Sequence, residues 1–408
     1  MGRTILAEES LQDKLSALAK VGSFQIGLLI GQNAEEKDFI AHIAPTPTLD
    51  EGDLSSEDED DPSLAKEVVR SKAPDSLYKI VDAVMAQHTR QVIRMLPGGL
   101  DIIGIYVVTT QGDFNSSANV SKLRSVLVAI HRTASKILME TAESRTEKII
   151  LHVCTQSLKT LCKTMEVSPT APGLLSNADI KFQRGGVKWH EILYSYNINL
   201  KFWLPIDKSP QSLYKMVLTF IKQWVDSVTE SLILIDSEFP NDDDLLDAEA
   251  DEKPAKKKGG GRGVMDLTSQ KIFRAEILDS CVPLIPFTKK DESSGSVCLM
   301  GAVAGLAFVH SKVTLHEAKA AVLVDLVRTV VARWEMHCDS LIEEPPSHLM
   351  GPIIHEAPRR VFLKGLPVSF CDYLFPGDTK ADACQSANEL LNIKVRDEHV
   401  DDSVETFK

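Results

Sequence analysis

Residues 91–110 read QVIRMLPGGLDIIGIYVVTT, and three regimes meet in them. Upstream, Leu77, Val81, Val84, Val92 and Met95 fall on one face at helical spacing, which predicts a helix over 75–96. Pro97-Gly98-Gly99 stops it, since proline lacks the N–H a helix interior needs. Residues 100–110 then predict a buried strand with Gly104 inside, where glycine marks a bend or a close backbone approach. A helix turning directly into a buried strand places the chain in the mixed α/β (α+β) class.

The same alternation extends in both directions. Residues 10–19 suggest a helix or turn, and FQIGLLIG at 24–31 a short buried strand. Downstream, Val120, Leu123, Leu127, Ile130, Ala134 and Ile137 step by three and four, and a strand is predicted over 149–154. Asn115 and Asn119 match the glycosylation pattern but read as a polar turn and a helix start. Residues 194–204 alternate: Tyr194, Tyr196, Ile198, Leu200, Phe202 and Leu204 face one way, Ser195, Asn197, Asn199 and Lys201 the other. That is a strand with one wet face. Ser209-Pro210 then reads as a helix start, with Leu213, Phe220, Trp224, Val228 and Leu232 inward. Further strands are expected near 273–278, 297–309, 360–363 and 369–375. The capping box Thr314-Leu315-His316-Glu317 opens a helix whose inward face carries Leu315, Val322, Leu326, Val330, Trp334, Cys338 and Leu341.

The chain has 408 residues, 43% of them apolar, and a net charge of −13. Length suggests two domains of roughly 100–200 residues. The acid is concentrated in blocks. Residues 50–61 hold eight acids and no base; 236–263 hold nine acids and five bases; 396–408 hold five acids and two bases. The remainder is balanced, 36 acids against 38 bases. Such blocks stay solvated and read as linkers or a tail. The domains expected are 1–235 with an acidic insert at 50–74, a charged linker at 236–263, a second, smaller α/β domain at 264–380, and a polar acidic tail at 381–408. The Lys256-Lys257-Lys258 run reads as part of that linker. No stretch interleaves clustered bases with aromatics, so nucleic acid is not an expected partner.

No apolar run reaches the roughly 20 residues of a membrane span, and no signal peptide is evident at the start. Seven cysteines, an odd number without a CxxC, fit a reducing compartment better than a disulfide scaffold. Catalytic signatures are missing: no P-loop, no GxSxG and no HExxH, and none of the eleven histidines form an HxH pair. His152 with Cys154, two apart on a predicted strand, could form a nucleophile pair, but a core histidine beside a packed cysteine is the simpler reading. Cys371-Asp372-Tyr373 reads as a packed cysteine and a turn, and His310 and His316 as polar loop residues. No metal, cofactor or catalytic residue is expected.

MGRT at the start, LLIGQ at 28–32, QVIRMLPGGL at 91–100, GIYVVTT at 104–110 and CDYLFPGD at 371–378 together resemble the odorant response abnormal four family. The resemblance runs in order along most of the chain. It implies a non-catalytic adaptor that binds the ubiquitin-fold-modifier-specific cysteine protease as a heterodimer and recruits it to the cytosolic face of the endoplasmic reticulum. The alternative it implies is trafficking of odorant and other heptahelical receptors. Members usually end in an apolar anchor helix; this sequence ends DEHVDDSVETFK, so membrane association is expected either through partners or through an anchor helix absent from this sequence.

The order of elements also resembles the MPN fold of zinc deubiquitinases, making the N-terminal part an MPN-like domain without its zinc motif. On that resemblance Val107 and Thr109 stand where two zinc histidines would be, and valine has no lone pair to offer a metal. The segment expected to meet the partner is Met95, Leu96, Pro97, Gly98, Gly99, Ile102, Ile105 and Tyr106, an apolar stretch around a turn; its alternative reading is a buried helix–strand corner.

Overall fold

A computed structural model describes residues 3–35, 37–47, 74–137, 145–206, 213–239, 241–247, 270–278, 293–343 and 354–405. The insert at 50–74, apart from Pro74, the stretch 248–263, and Ser209-Pro210 lie outside the described residues, as does the side chain of Leu341.

Eight strands build the first sheet: β1 (Thr4–Glu8), β2 (Gln25–Asn33), β3 (Lys37–Pro45), β4 (Asp101–Thr109), β5 (Glu147–Cys154), β6 (Thr160–Glu166), β7 (Leu175–Asn177) and β8 (Asp179–Gln183). Their order is β7-β6-β5-β4-β2-β3-β1-β8. The two ends of that order are one residue apart in sequence. The segment pairs with β6, crosses at Ala178, whose N–H donates to the Cys162 carbonyl, and then pairs parallel with β1. The sheet is therefore curled, with its ends joined by a single run of chain.

Alternation along the central strands sends neighbouring residues to opposite layers. Leu29, Ile103 and Tyr106 pack with Leu11, Leu15 and Ala19 of α1 (Glu9–Val21). Leu28, Ile30, Ile102 and Ile105 pack on the other side with α2 (Asp82–Met95) and α3 (Ser117–Ile137). This double burial is why β2 and β4 read as continuous apolar runs.

A second sheet has the order β10-β11-β9-β12, from β9 (Trp189–Pro205), β10 (Leu232–Ile235), β11 (Ile272–Leu278) and β12 (Ser293–His310). α4 (Leu213–Thr229) and α5 (Leu315–Glu343) share its core. The alternation in β9 is as read: Tyr194, Tyr196, Leu200 and Phe202 are buried, and Ser195, Asn197 and Lys201 are exposed, with Asn199 on the same wet face. The Thr314/Glu317 capping box forms in both directions, Glu317 N–H to Thr314 Oγ1 and Thr314 N–H to Glu317 Oε2. A third, small sheet, β13 (Arg359–Leu363) between β14 (Phe370–Leu374) and β15 (Val400–Asp401), carries α6 (Lys380–Leu391).

Several expectations are corrected. The division at 235 fails because β9 pairs with both β11 and β12, so strands from either side of the charged stretch share one sheet; the change of sheet falls between β8 and β9. Residues 236–247 are not linker throughout, since Leu246 is buried and its N–H donates to the Val313 carbonyl. Residues 381–408 are not a tail, because α6, β15 and the buried Glu405 lie there. α2 starts at Asp82 rather than 75, after a single 3-10 turn at Leu77–Lys79. Leu232 is 61% exposed in a strand, not inward on a helix. The mixed α/β class stands as expected.

Candidate functional site

β4 and β5 run parallel, so their register fixes what stands at their ends. Val107 pairs with His152 and Thr109 with Cys154. Val107 and His152 are buried. The His152 ring stacks on Phe114 at 4.1 Å, and its Nε2 lies 3.3 Å from the Thr109 carbonyl, an acceptor only, so Nε2 carries the proton. Burial holds this imidazole neutral by lowering its pKa. Its Nδ1 meets no partner, so no hydrogen bond joins it to Cys154. The Ser157 hydroxyl and the amides of Ser157, Gln156 and Gln111 lower the Cys154 pKa, but only 2% of the residue is exposed. Among the described residues no three His, Cys, Asp or Glu side chains converge on a metal position. A thiol without a base, beside a valine, offers neither a zinc site nor an activated nucleophile.

Cys371 is no better placed. It is fully buried with Arg360 Nη2 3.0 Å from its sulfur, and burial pushes its thiol up to about 12. Its neighbour Asp372 lies inside β14 rather than in a turn. His310 is not a loop residue either: it ends β12, is buried, and stacks on Phe39.

The stretch 95–106 lies at the centre of the molecule. Met95, Leu96, Pro97, Gly98, Ile102, Ile105 and Tyr106 are buried, and Gly99 is half-buried. Gly98 makes a parallel bridge with Ala307: its N–H donates to Leu306 O and its carbonyl accepts from Phe308. A Cβ on Gly98 would sit 2.1 Å from the Ala321 carbonyl, and one on Gly99 (φ +78°) 2.1 Å from that of Phe308. Both glycines are required because strand and helix backbones close on the turn from two sides. The segment is thus the buried corner, and its side chains have no surface from which to meet a partner.

Two charged residues of α5 lock that corner. Asp325 accepts from Gly98 N–H at 2.9 Å, Leu306 N–H at 3.0 Å, the Tyr194 hydroxyl at 2.8 Å and both Arg360 Nη atoms at 2.7 and 2.8 Å. Arg328 donates to the carbonyls of Leu96, Pro97 and Leu100 at 3.0–3.2 Å, holding the turn that follows α2. The second and third sheets meet in this cluster, at the turn that leads into β4. Sequence reading missed Asp325, Arg328 and Arg360; the available signal was a charged pair three apart within the largely apolar run at 320–332 of that helix.

A groove of about 660 Å³ opens elsewhere on the described surface, flanked by α2 and α3. Ala83, Ala86, Val128 and Ala129 are among its lining, with Arg124 and Arg132 alongside. Asp82 at one end is neutralised by Lys122 Nζ at 2.9 Å and by the Ser125 hydroxyl.

No helix among the described residues is long and apolar enough to cross a membrane. The odorant response abnormal 4-like family model matches residues 27–402. The human protein odr-4 homolog is 28% identical over the whole chain, which spans 87% of that relative. Odorant response abnormal protein 4 of Caenorhabditis elegans is 22% identical over 83% of the chain and 69% of its own length. Among solved structures, UfSP from C. elegans aligns with 96% of this chain and 57% of its own, at 8% identity and a TM-score of 0.43. With a family model spanning nearly all of it, from the LLIGQ strand through the buried corner to the third sheet, the chain belongs to the odorant response abnormal 4-like family.

Proposed function

We propose that this chain is a non-catalytic adaptor. Its partner in this reading is the cysteine protease specific for the ubiquitin-fold modifier, held as a heterodimer at the cytosolic face of the endoplasmic reticulum. The observation that carries the reading is the pair Val107 and Thr109 at the strand end where the MPN resemblance expects zinc histidines, beside an imidazole already committed to a backbone carbonyl. An MPN-like body without metal ligands keeps a scaffold and loses the reaction. The protease as partner is what the sequence resemblance implies. The test is co-purification of the chain with that protease, followed by mass determination. A one-to-one complex is expected; no association at micromolar concentration overturns the reading.

The name of the worm relative speaks of an odorant response, which fits a second reading implied by the sequence resemblance, delivery of odorant and other heptahelical receptors to the cell surface. Loss of receptor delivery with unchanged modifier conjugates would select it.

A further inference from the structure

The groove between α2 and α3 differs from the rest of the surface in three respects. Its base is made of small side chains, so a third helix could approach both backbones closely. Exposed apolar groups lie on segments next to it: Leu174, 70% exposed, follows the lining residue Gly173, and Tyr78, 74% exposed, lies on the turn that packs against α3. Isolated exposed apolar residues are ordinary; what singles out this groove is their combination with a trough of small side chains and the charge beside it.

Charge identifies the occupant. Of the charged lining residues, Asp82 is already satisfied by Lys122 and Ser125, which leaves Arg124 and Arg132 uncompensated by any carboxylate among the described residues. Arg124 Nη2 donates to the Ala171 carbonyl, while its Nε is buried with no partner. Arg132 is exposed, and the exposed Lys136 follows one turn on. From Ser121 to Arg132 the lined face of α3 runs about 17 Å, the length of three turns of helix.

We propose that this groove seats an amphipathic helix of a partner protein, its apolar face on the alanines and an acidic flank against Arg124, Arg132 and Lys136. The assignment rests on the adaptor reading only in needing a protein partner; it does not require the protease. Two probes for the full chain separate the claims. The first is a fluorescent four-turn amphipathic peptide with glutamates flanking a Leu/Ala face, compared with its lysine-flanked counterpart. The acidic peptide is expected to bind roughly tenfold tighter, a difference of about 1.4 kcal/mol. R132E/K136E, both on exposed positions, should erase that preference, and A129R, which fills the trough, should abolish binding while circular dichroism stays unchanged. Failure of both peptides to bind, or equal binding by A129R, overturns the proposal. So does binding that appears only when residues 50–61 are deleted, because the chain's own acidic segment would then be the occupant. The second probe is the protease. If the peptide binds and the protease does not, the groove stands and the adaptor partner falls. If the protease binds the wild type and A129R alike and no peptide binds, the adaptor stands and the groove falls.

Discussion

Asp325 serves five donors at once, and that number sets the cost of losing it. Arg360 is fully buried, and breaking a buried pair by removing one partner typically costs about 3–5 kcal/mol. Asp325→Ala is expected to lose that much in urea unfolding, and Arg360→Met a similar amount. The double variant should lose clearly less than the sum, since each single change already strands the same group. An additive result would show that the two do not act as one unit. Gly98→Ala forces the Ala321 carbonyl to move, and overpacking of this kind costs about 1–3 kcal/mol or more. The thiols give an independent check on chemistry. Of the six cysteines among the described residues, Cys298 is exposed and should react first with a thiol reagent under native conditions. Cys162 and Cys371, whose buried thiols are pushed up to about 12, should react only on unfolding. Rapid native modification of Cys371 would contradict its placement.

At the scale of elements, α6 shows how the third sheet is attached. Its C-terminal carbonyls are taken by two imidazoles from the first body: His42 Nε2 donates to Leu391 O at 2.7 Å, and His88 Nε2 to Leu390 O at 3.0 Å. Burial outweighs these hydrogen bonds and lowers both pKa values from 6.5 to about 4. A folded pKa below the unfolded one means the unfolded chain takes up protons first on acidification. Stability is therefore lost as pH falls from about 6.5 to 4, by up to roughly 3 kcal/mol per histidine. Hydrogen exchange over 380–391 should accelerate in that window, and less steeply in His42→Ala; a flat profile would refute the attachment. Neither histidine was legible as a helix cap in the sequence, because the partner carbonyls lie 349 and 302 residues away. The local signals did better. Strict alternation in β9 and the capping box at Thr314 each depend on near neighbours only, and each was read correctly. The start of α2 was misplaced because Leu77 is buried from a 3-10 turn, which the apolar spacing alone cannot tell from the helix that follows.

For the whole molecule, composition misled where topology decided. The acidic stretch at 236–263 marks a break in the sequence but not in the fold, since β9 and β10 precede it and β11 and β12 follow it in the same sheet. Cleavage at a protease site engineered within 248–263 should leave two fragments that co-elute in native gel filtration and separate only in denaturant. Separation under native conditions would restore the two-domain division. The candidate site was obscured for the same reason: the motif at 95–100 advertises an apolar turn, while the residues that bury it, Asp325 and Arg360, come more than 200 residues later.

The joining of the first sheet through Ala178 also orders the assembly of the protein during synthesis. β1 lies between β3 and β8, so one edge finds its neighbour within about 30 residues, while the other waits for residues 179–183. At a translation rate of about 5–20 residues per second, that edge stays unsatisfied for roughly 10–35 s. Until β8 has been made, β1 thus stands as an open parallel-strand template, the stretch of the growing chain most exposed to mispairing.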